Sequence, residues 1–195
     1  IVAHAAKLHI TIVPEIEFPG HAMAALMAYP EIGTTGKPPT AVSNITTDLI
    51  GVHPKAITFL KDVLDETMDL FPGQWIHFGG DEAPKNQWQA DPYTQKRIDE
   101  LGLRVSGSDN KHASEDALQA WLFNEMAAHI AKKGRKAVGW EEIMHGENIN
   151  HLAKGSVIMP WLSVNNGAKA ANAGFGVVHT SVGPFYLDSY QSHDP

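Results

Sequence analysis

The chain has 195 residues, 43% hydrophobic and 19% charged, with 15 Lys and Arg against 22 Asp and Glu and a net charge of −7 at pH 7. That length allows one domain with a sizeable core, and the negative balance without a Lys/Arg cluster argues against nucleic acid as a partner. The absence of cysteine excludes disulfides, thiolate metal sites and a Cys nucleophile, and no run approaches the ~20 apolar residues of a membrane span, so no membrane partner is expected.

Ile1-Val2-Ala3-His4-Ala5-Ala6-Lys7-Leu8 reads as the end of a helix already under way, with neither Met nor a cap before it. The expectation is that the natural N-terminus, with any targeting signal, lies upstream, and the compartment stays open. Short apolar runs bounded by turn residues predict strands over His9–Pro14, Gln74–Phe78, Lys136–Gly139, Ser156–Pro160 and Gly176–Ser181. Between them, Pro54–Phe71 carries apolar residues at helical spacing, opens on a proline suited to a first turn and stops at Pro72-Gly73. Tyr93–Leu101 predicts a further helix. Ser114–Lys133 predicts another, with Ser114 as cap, a stripe through Leu118, Trp121, Leu122 and Met126, and Gly134 just past its end. Lys132-Lys133-Gly134-Arg135-Lys136 is the basic end of that helix, where cations suit the dipole. Shorter helices are expected over Asn148–Ala153 and Asn166–Ala173, and polar, Gly-rich loops over Gly33–Pro39 and Val105–His112.

Strands alternating with helices specify a parallel α/β fold. An open doubly wound sheet should show a Gly-rich phosphate turn early, and none is present. A whole (β/α)₈ barrel needs ~250 residues, so the favoured fold is a partial TIM barrel, with residues 1–195 a fragment of a single catalytic domain. Several strands end in polar or aromatic groups, as at the catalytic face of such a barrel.

The strongest of these ends is Trp75-Ile76-His77-Phe78-Gly79-Gly80-Asp81-Glu82, an apolar strand running through two glycines into two acids. A bend there would let both carboxylates serve one cavity in different surroundings, which is how one stays protonated while the other ionises. The alternative is a solvated turn, with Asp81 capping a helix over Glu82–Trp88. Val13-Pro14-Glu15-Ile16-Glu17-Phe18-Pro19-Gly20-His21 places two acids and a histidine at another strand end, although Pro19-Gly20 alone is only a turn and His21 a helix start. Val138-Gly139-Trp140-Glu141-Glu142 and Phe185-Tyr186-Leu187-Asp188 add a Trp and a Tyr–Asp pair, each of which core packing or a turn would also explain. Their recurrence at consecutive strand ends favours a site. The absence of HExxH, GxSxG, P-loop and dinucleotide patterns speaks against a zinc hydrolase, an α/β-hydrolase and nucleotide enzymes, and no cofactor or metal is expected.

Together these segments resemble glycoside hydrolase family 20, the exo-β-N-acetylhexosaminidases. His77-Phe78-Gly79-Gly80-Asp81-Glu82 matches the family's HxGGDE signature, Pro14 to His21 its PEIxxPGH segment, Gly139 to Glu142 its GW(D/E)E segment and Tyr186-Leu187-Asp188 its YxD segment. The resemblance implies hydrolysis of terminal non-reducing β-linked GlcNAc or GalNAc, with retention and through an oxazolinium intermediate made by the substrate's own acetamide, outside the two-carboxylate scheme. It implies that Glu82 is the general acid and base, that Asp81 holds the acetamide nitrogen, and that Tyr186 binds the acetamide oxygen. Trp140 and Trp121 would wall the acetamide pocket, Asp188 would bind sugar hydroxyls, and His21 would support the acids or touch substrate. Trp161 is wall or core.

Residue 141 is Glu where the family more often has Asp. Two earlier strands with an Arg and an Asp, and a last strand with a Trp and an acid, have no counterpart, so the chain is expected to cover roughly strands three to seven. The partner is then an N-acetylhexosamine oligosaccharide or glycoconjugate. Alternatives are an inactive fragment or carbohydrate-binding remnant, self-associating through the missing strands, and a disaccharide-releasing relative.

Overall fold

A computed structural model describes residues 1–39, 47–145 and 148–188. Four strands form one sheet in the order β1-β2-β3-β4: β1 is Trp75–His77, β2 Lys136–Trp140, β3 Val157–Met159 and β4 Gly176–Val177. All pairs are parallel, with Ile76 opposite Ala137, Val138 opposite Val157, and Val157 opposite Gly176. Spatial order equals chain order, so each crossover advances by one position, as successive staves of a barrel do.

A fifth stave borders β1, displaced from its expected position. The expected strand His9–Pro14 does not form. Pairing falls instead on Pro14–Phe18, where the His77 N–H donates to Pro14 O at 2.9 Å, Ile16 N–H to His77 O at 2.9 Å, and Phe18 N–H to Phe78 O at 3.2 Å. Glu15 and His77 thus form a parallel bridge. Pro14 has no N–H but supplies a carbonyl, so it suits the first position of a ladder. At the other edge the pairing outlasts β4, because Val178 N–H donates to Ile158 O and Thr180 N–H to Pro160 O, both at 3.1 Å.

The helices are α1 (Val2–Lys7), α2 (Met23–Ala28), α3 (Pro54–Leu70), α4 (Asn86–Ala90), α5 (Pro92–Glu100), α6 (Ala113–Ala131), α7 (Val164–Asn172) and α8 (Val182–Phe185). His53 caps α3, its Nδ1 accepting from Ala56 N–H at 3.3 Å, with Pro54 in the first turn as expected. Asp91 caps α5 and Ser163 caps α7. Ser114 is not the cap of α6: it lies inside the helix and its Oγ accepts from Val105 N–H at 2.9 Å, tethering the preceding loop. The helix expected over Asn148–Ala153 is only a 3₁₀ turn, Asn148–Asn150. Among the described residues, no helix is long and apolar enough to cross a membrane.

Ile76, Phe78, Leu118, Phe123, Met126 and Ile158 are buried in the core between the sheet, α3 and α6. Phe78 packs between Phe18, tilted against it at 5.2 Å, and Phe123, edge-on at 5.3 Å between ring centroids. This packing holds the ends of β1, the Pro14–Phe18 stave and β2 at one level, and the polar residues that follow those ends emerge together.

Candidate active site

After Phe78 the chain turns through Gly79 (φ +65°) and Gly80 (φ +102°) and leaves the strand direction. Gly79 has a second reason to be glycine, because a Cβ there would fall inside the Glu17 carboxyl group. Asp81 and Glu82 follow the bend. Glu82 has φ +48° and His21 φ +47°, a left-handed backbone that costs non-glycine residues energy. Such outliers concentrate at functional sites, and here the two meet: His21 Nε2 lies 3.3 Å from Glu82 Oε2 and 3.5 Å from Asp81 Oδ2. The Glu82 side chain is 41% exposed and that of Asp81 21%, so the neighbours have different surroundings. Asp81 does not cap a helix; the next one, α4, begins at Asn86.

Behind the pair lies Glu17. Its Oε1 accepts the Gly80 N–H at 2.7 Å, and burial, with the nearby charges of Asp81 and Glu15, pushes its pKa up to about 10 despite that bond. Glu17 is therefore a neutral acid at pH 7. Burial also raises Asp81, while the His21 charge and a hydrogen bond from Glu17 pull it down. Asp81 Oδ1 is buried without a hydrogen-bond partner among the described residues. Oxygens of Glu15, Glu17 and Asp81 lie within 4.8 Å of one another, as do ligand atoms of His21, Asp81 and Glu82. That spacing would suit a cation, and it equally suits the contacts between His21 and the two acids at 3.3 and 3.5 Å. Gln119 of α6 reaches the same bend, its Nε2 donating to Gly80 O at 2.6 Å.

Trp140, at the end of β2, donates its Nε1–H to Glu15 Oε1 at 2.8 Å and packs on His77 at 4.7 Å between ring centroids. Burial lowers His77, which is a neutral imidazole whose Nδ1 accepts the Gly79 N–H at 2.9 Å; its 3.4 Å contact with Glu15 is then no ion pair. Glu142 accepts the Trp161 Nε1–H on both oxygens at 3.1 Å, and burial, with the charges of Asp81 and Glu141, pushes its pKa up to about 7. Glu141 accepts from Leu162 N–H at 3.1 Å and from Asn166 Nδ2, locking the β2 end to the β3–α7 connection. Tyr186 follows α8. Its phenol is raised by burial and then by the charges of Asp188, Asp81, Glu142 and Glu82, which puts it within electrostatic reach of the pair. Asp188 is exposed beside it.

Trp121 is not with these residues. Gln119 points at the strand end, and two positions along a helix turn the side chain by about 200°. The Trp121 indole lies instead under Arg97, 5.4 Å from the guanidinium carbon, and lines a separate cavity with residues 102–108 and His145. Helical spacing identified a stripe but not which face it served. Glu17 and Glu142 stand in the sequence only as members of their segments and Trp161 only as wall or core, while Gln119 is not singled out. The two acids of the PEIEF segment were visible as a signal for Glu17; nothing local marked Gln119.

A parallel β/α barrel segment that gathers an acid pair and aromatic side chains at its strand ends is a setting in which glycoside hydrolases act. The comparisons narrow it. The family described as Glycosyl hydrolase family 20, catalytic domain, matches residues 1–195, and the chain belongs to that family. The family's catalytic domain is a TIM barrel, of which this sheet is part. The chain is 37% identical to a beta-hexosaminidase of Porphyromonas gingivalis, over 100% of the chain and 24% of that protein. It is 34% identical to a beta-hexosaminidase of Vibrio furnissii, over 100% of the chain and 31% of that protein. Among solved structures, a chitobiase of Flavobacterium johnsoniae matches with TM-score 0.77 and 30% identity, over 92% of the chain and 27% of that structure. The chain thus spans less than a third of either curated relative.

Proposed function

We propose that the protein containing this chain is a retaining exo-β-N-acetylhexosaminidase acting on terminal β-linked GlcNAc or GalNAc of glycans, residues 1–195 being part of its single catalytic barrel domain. The observation that carries this is the His21 bridge to both Asp81 and Glu82, which sets two adjacent carboxyls at one point in unequal surroundings. Glu82, the more exposed, protonates the glycosidic oxygen as its bond to the anomeric carbon breaks. The acetamide oxygen of the substrate attacks that carbon, and Asp81 accepts the acetamide N–H as the oxazolinium ring closes. Glu82, now a carboxylate, takes a proton from water, which opens the ring with the original configuration restored. Because the nucleophile belongs to the substrate, Asp81 has only to align it, and alignment of an internal nucleophile contributes heavily to rate. Trp140 walls the acetamide, Tyr186 donates to its oxygen and Asp188 meets sugar hydroxyls.

The test is full-length Glu82→Gln with an aryl N-acetylglucosaminide, with the product anomer followed by NMR. Turnover should fall about 10²–10⁴-fold and the wild-type product should be β. Near-wild-type turnover, or an α product, rejects the reading.

Exposed Ile10 and Val13 at one sheet edge and Val178 at the other favour a second reading for the 195 residues taken alone. They would self-associate through these edges and hydrolyse little. Efficient turnover by this piece as a monomer rejects that.

A further inference from the structure

A cavity of about 730 Å³ lies between α6 and the segment after β2, lined also by the loop that precedes α6. Its volume is that of a small-molecule pocket, typically ~300–1,000 Å³. Its walls come wholly from the β1–β2 and β2–β3 connections, in the middle of the stave order, so they do not depend on either edge of the sheet. Asp81, Glu82, Trp140 and Tyr186 do not line it.

Two side chains in its wall point to a ligand. Trp121 presents an indole that Arg97 holds from one side. Asn148, 8% exposed, has its Nδ2 buried with no hydrogen-bond partner among the described residues. A buried amide donor left unpaired is costly, and an acceptor seated in the cavity would satisfy it. The charges nearby are committed. Arg104 donates to Asp99 Oδ1 and Gln95 Oε1, both at 2.7 Å. Asp116 accepts from Asn110 Nδ2 at 2.8 Å and faces Lys85 at 3.8 Å. Burial lowers His145, leaving it neutral at pH 7. No lysine lines the cavity among the described residues, so an anion would lack a free counter-charge. An aromatic wall beside neutral donors and acceptors suits a ring with an apolar C–H face and hydroxyl or amide edges.

We propose that this cavity is a second sugar site, separate from the acid pair, which takes a neutral N-acetylated oligosaccharide with a ring on Trp121 and a carbonyl or hydroxyl oxygen on Asn148 Nδ2. The choice of sugar rests on the hexosaminidase reading; the geometry of the cavity does not.

The test titrates the full-length Glu82→Gln protein, which should leave the probe largely intact, with the N-acetylglucosamine disaccharide by calorimetry. Two binding events per chain are expected. Trp121→Ala should weaken one of them at least about tenfold. Asn148→Leu, which removes the donor while keeping the bulk, should weaken the same event. In the Glu82 background both substitutions should leave aryl N-acetylglucosaminide turnover within about twofold, far from the loss that removal of an acid–base group causes. A single binding event untouched by either substitution, with turnover intact, overturns the second site and leaves the enzymatic reading standing. No turnover by the wild-type protein, but a binding event that Trp121→Ala removes, overturns the enzymatic reading and upholds the second site. No binding at all overturns the second site.

Discussion

Glu17 Oε1 accepts the Gly80 N–H at 2.7 Å across 63 residues of chain, and through this bond the end of the Pro14–Phe18 stave holds the bend that carries Asp81 and Glu82. The contact is unusual because its acceptor is an uncharged acid, pushed up to about pKa 10. In the unfolded chain Glu17 ionises near its ordinary value of 4.5, and in the folded protein it keeps its proton until about 10. Over that window the folded state binds more protons, so the Glu17 contribution to stability is full below about 4.5 and declines as pH rises. Glu17→Gln keeps the size and a carbonyl acceptor for Gly80 but cannot ionise. Its thermal midpoint relative to wild type should therefore rise steadily between pH 5 and 9, by at most about a tenfold change in the unfolding constant per pH unit. A wild-type minus variant difference that is flat in pH would show that Glu17 is ionised in the folded protein.

The same carboxyl group occupies the place of a Gly79 side chain. Gly79→Ala thus meets two obstacles, a steric collision with Glu17 and a backbone at φ +65°. Gly79→Ala should cost more than about 3 kcal/mol, in the range of severe core mutations. Glu17→Ala in the same protein removes the collision but not the backbone cost of about 1–2 kcal/mol. The double variant should therefore be more stable than Gly79→Ala alone, as urea melts of all four proteins would reveal. Strictly additive losses would mean that the carboxyl group does not sit over Gly79.

Much of this was legible before folding, where patterns are local. The apolar run at Gln74–Phe78 holds β1 at its centre and that at Lys136–Gly139 all but the last residue of β2, because a strand covered by helices needs continuous apolar residues. Asp81-Glu82 stood out because glycines precede them. The Pro14–Phe18 pairing was hidden because its residues alternate with acids, so the apolar stretch just before it looked more strand-like; Ile10 and Val13 are in fact exposed. Helical spacing does not place Trp121 under Arg97, because the face a helical residue serves depends on what each face meets. The role of Glu17 lay in the approach of two strand ends, which no spacing in one segment expresses.

Glu142 supplies a titration close to neutrality. Burial, with the charges of Asp81 and Glu141, brings it to about 7 from 4.5. Its contribution to stability is complete below about 4.5 and is lost as pH rises through 7. Above 7 a new negative charge appears near Asp81. Glu142→Gln keeps an acceptor for the Trp161 Nε1–H and removes this event. The variant should match wild type in thermal midpoint near pH 4.5 and exceed it by pH 8. Full-length activity should also lose any inflection near 7 that the wild type shows. Identical melting–pH curves for the two proteins would mean that Glu142 is not held by burial in the folded state.

Tyr186 allows the sharpest test of the acetamide assignment. Burial and the surrounding carboxylates raise its phenol above its ordinary value, so it stays protonated through any working pH and can donate to the acetamide oxygen. The acetamide oxygen becomes electron-poor as it attacks, so a donor serves to orient it rather than to stabilise an oxyanion. Tyr186→Phe keeps the ring, which is half-exposed and carries little of the core. In the full-length protein its kcat/KM for an aryl N-acetylglucosaminide should fall about 10²-fold, the scale of a lost alignment of the reacting group, with the loss chiefly in kcat and the melting temperature unchanged. A loss confined to KM would assign Tyr186 to ground-state binding, and a kcat/KM within about twofold of wild type, far below that scale, would remove the phenol from the chemistry.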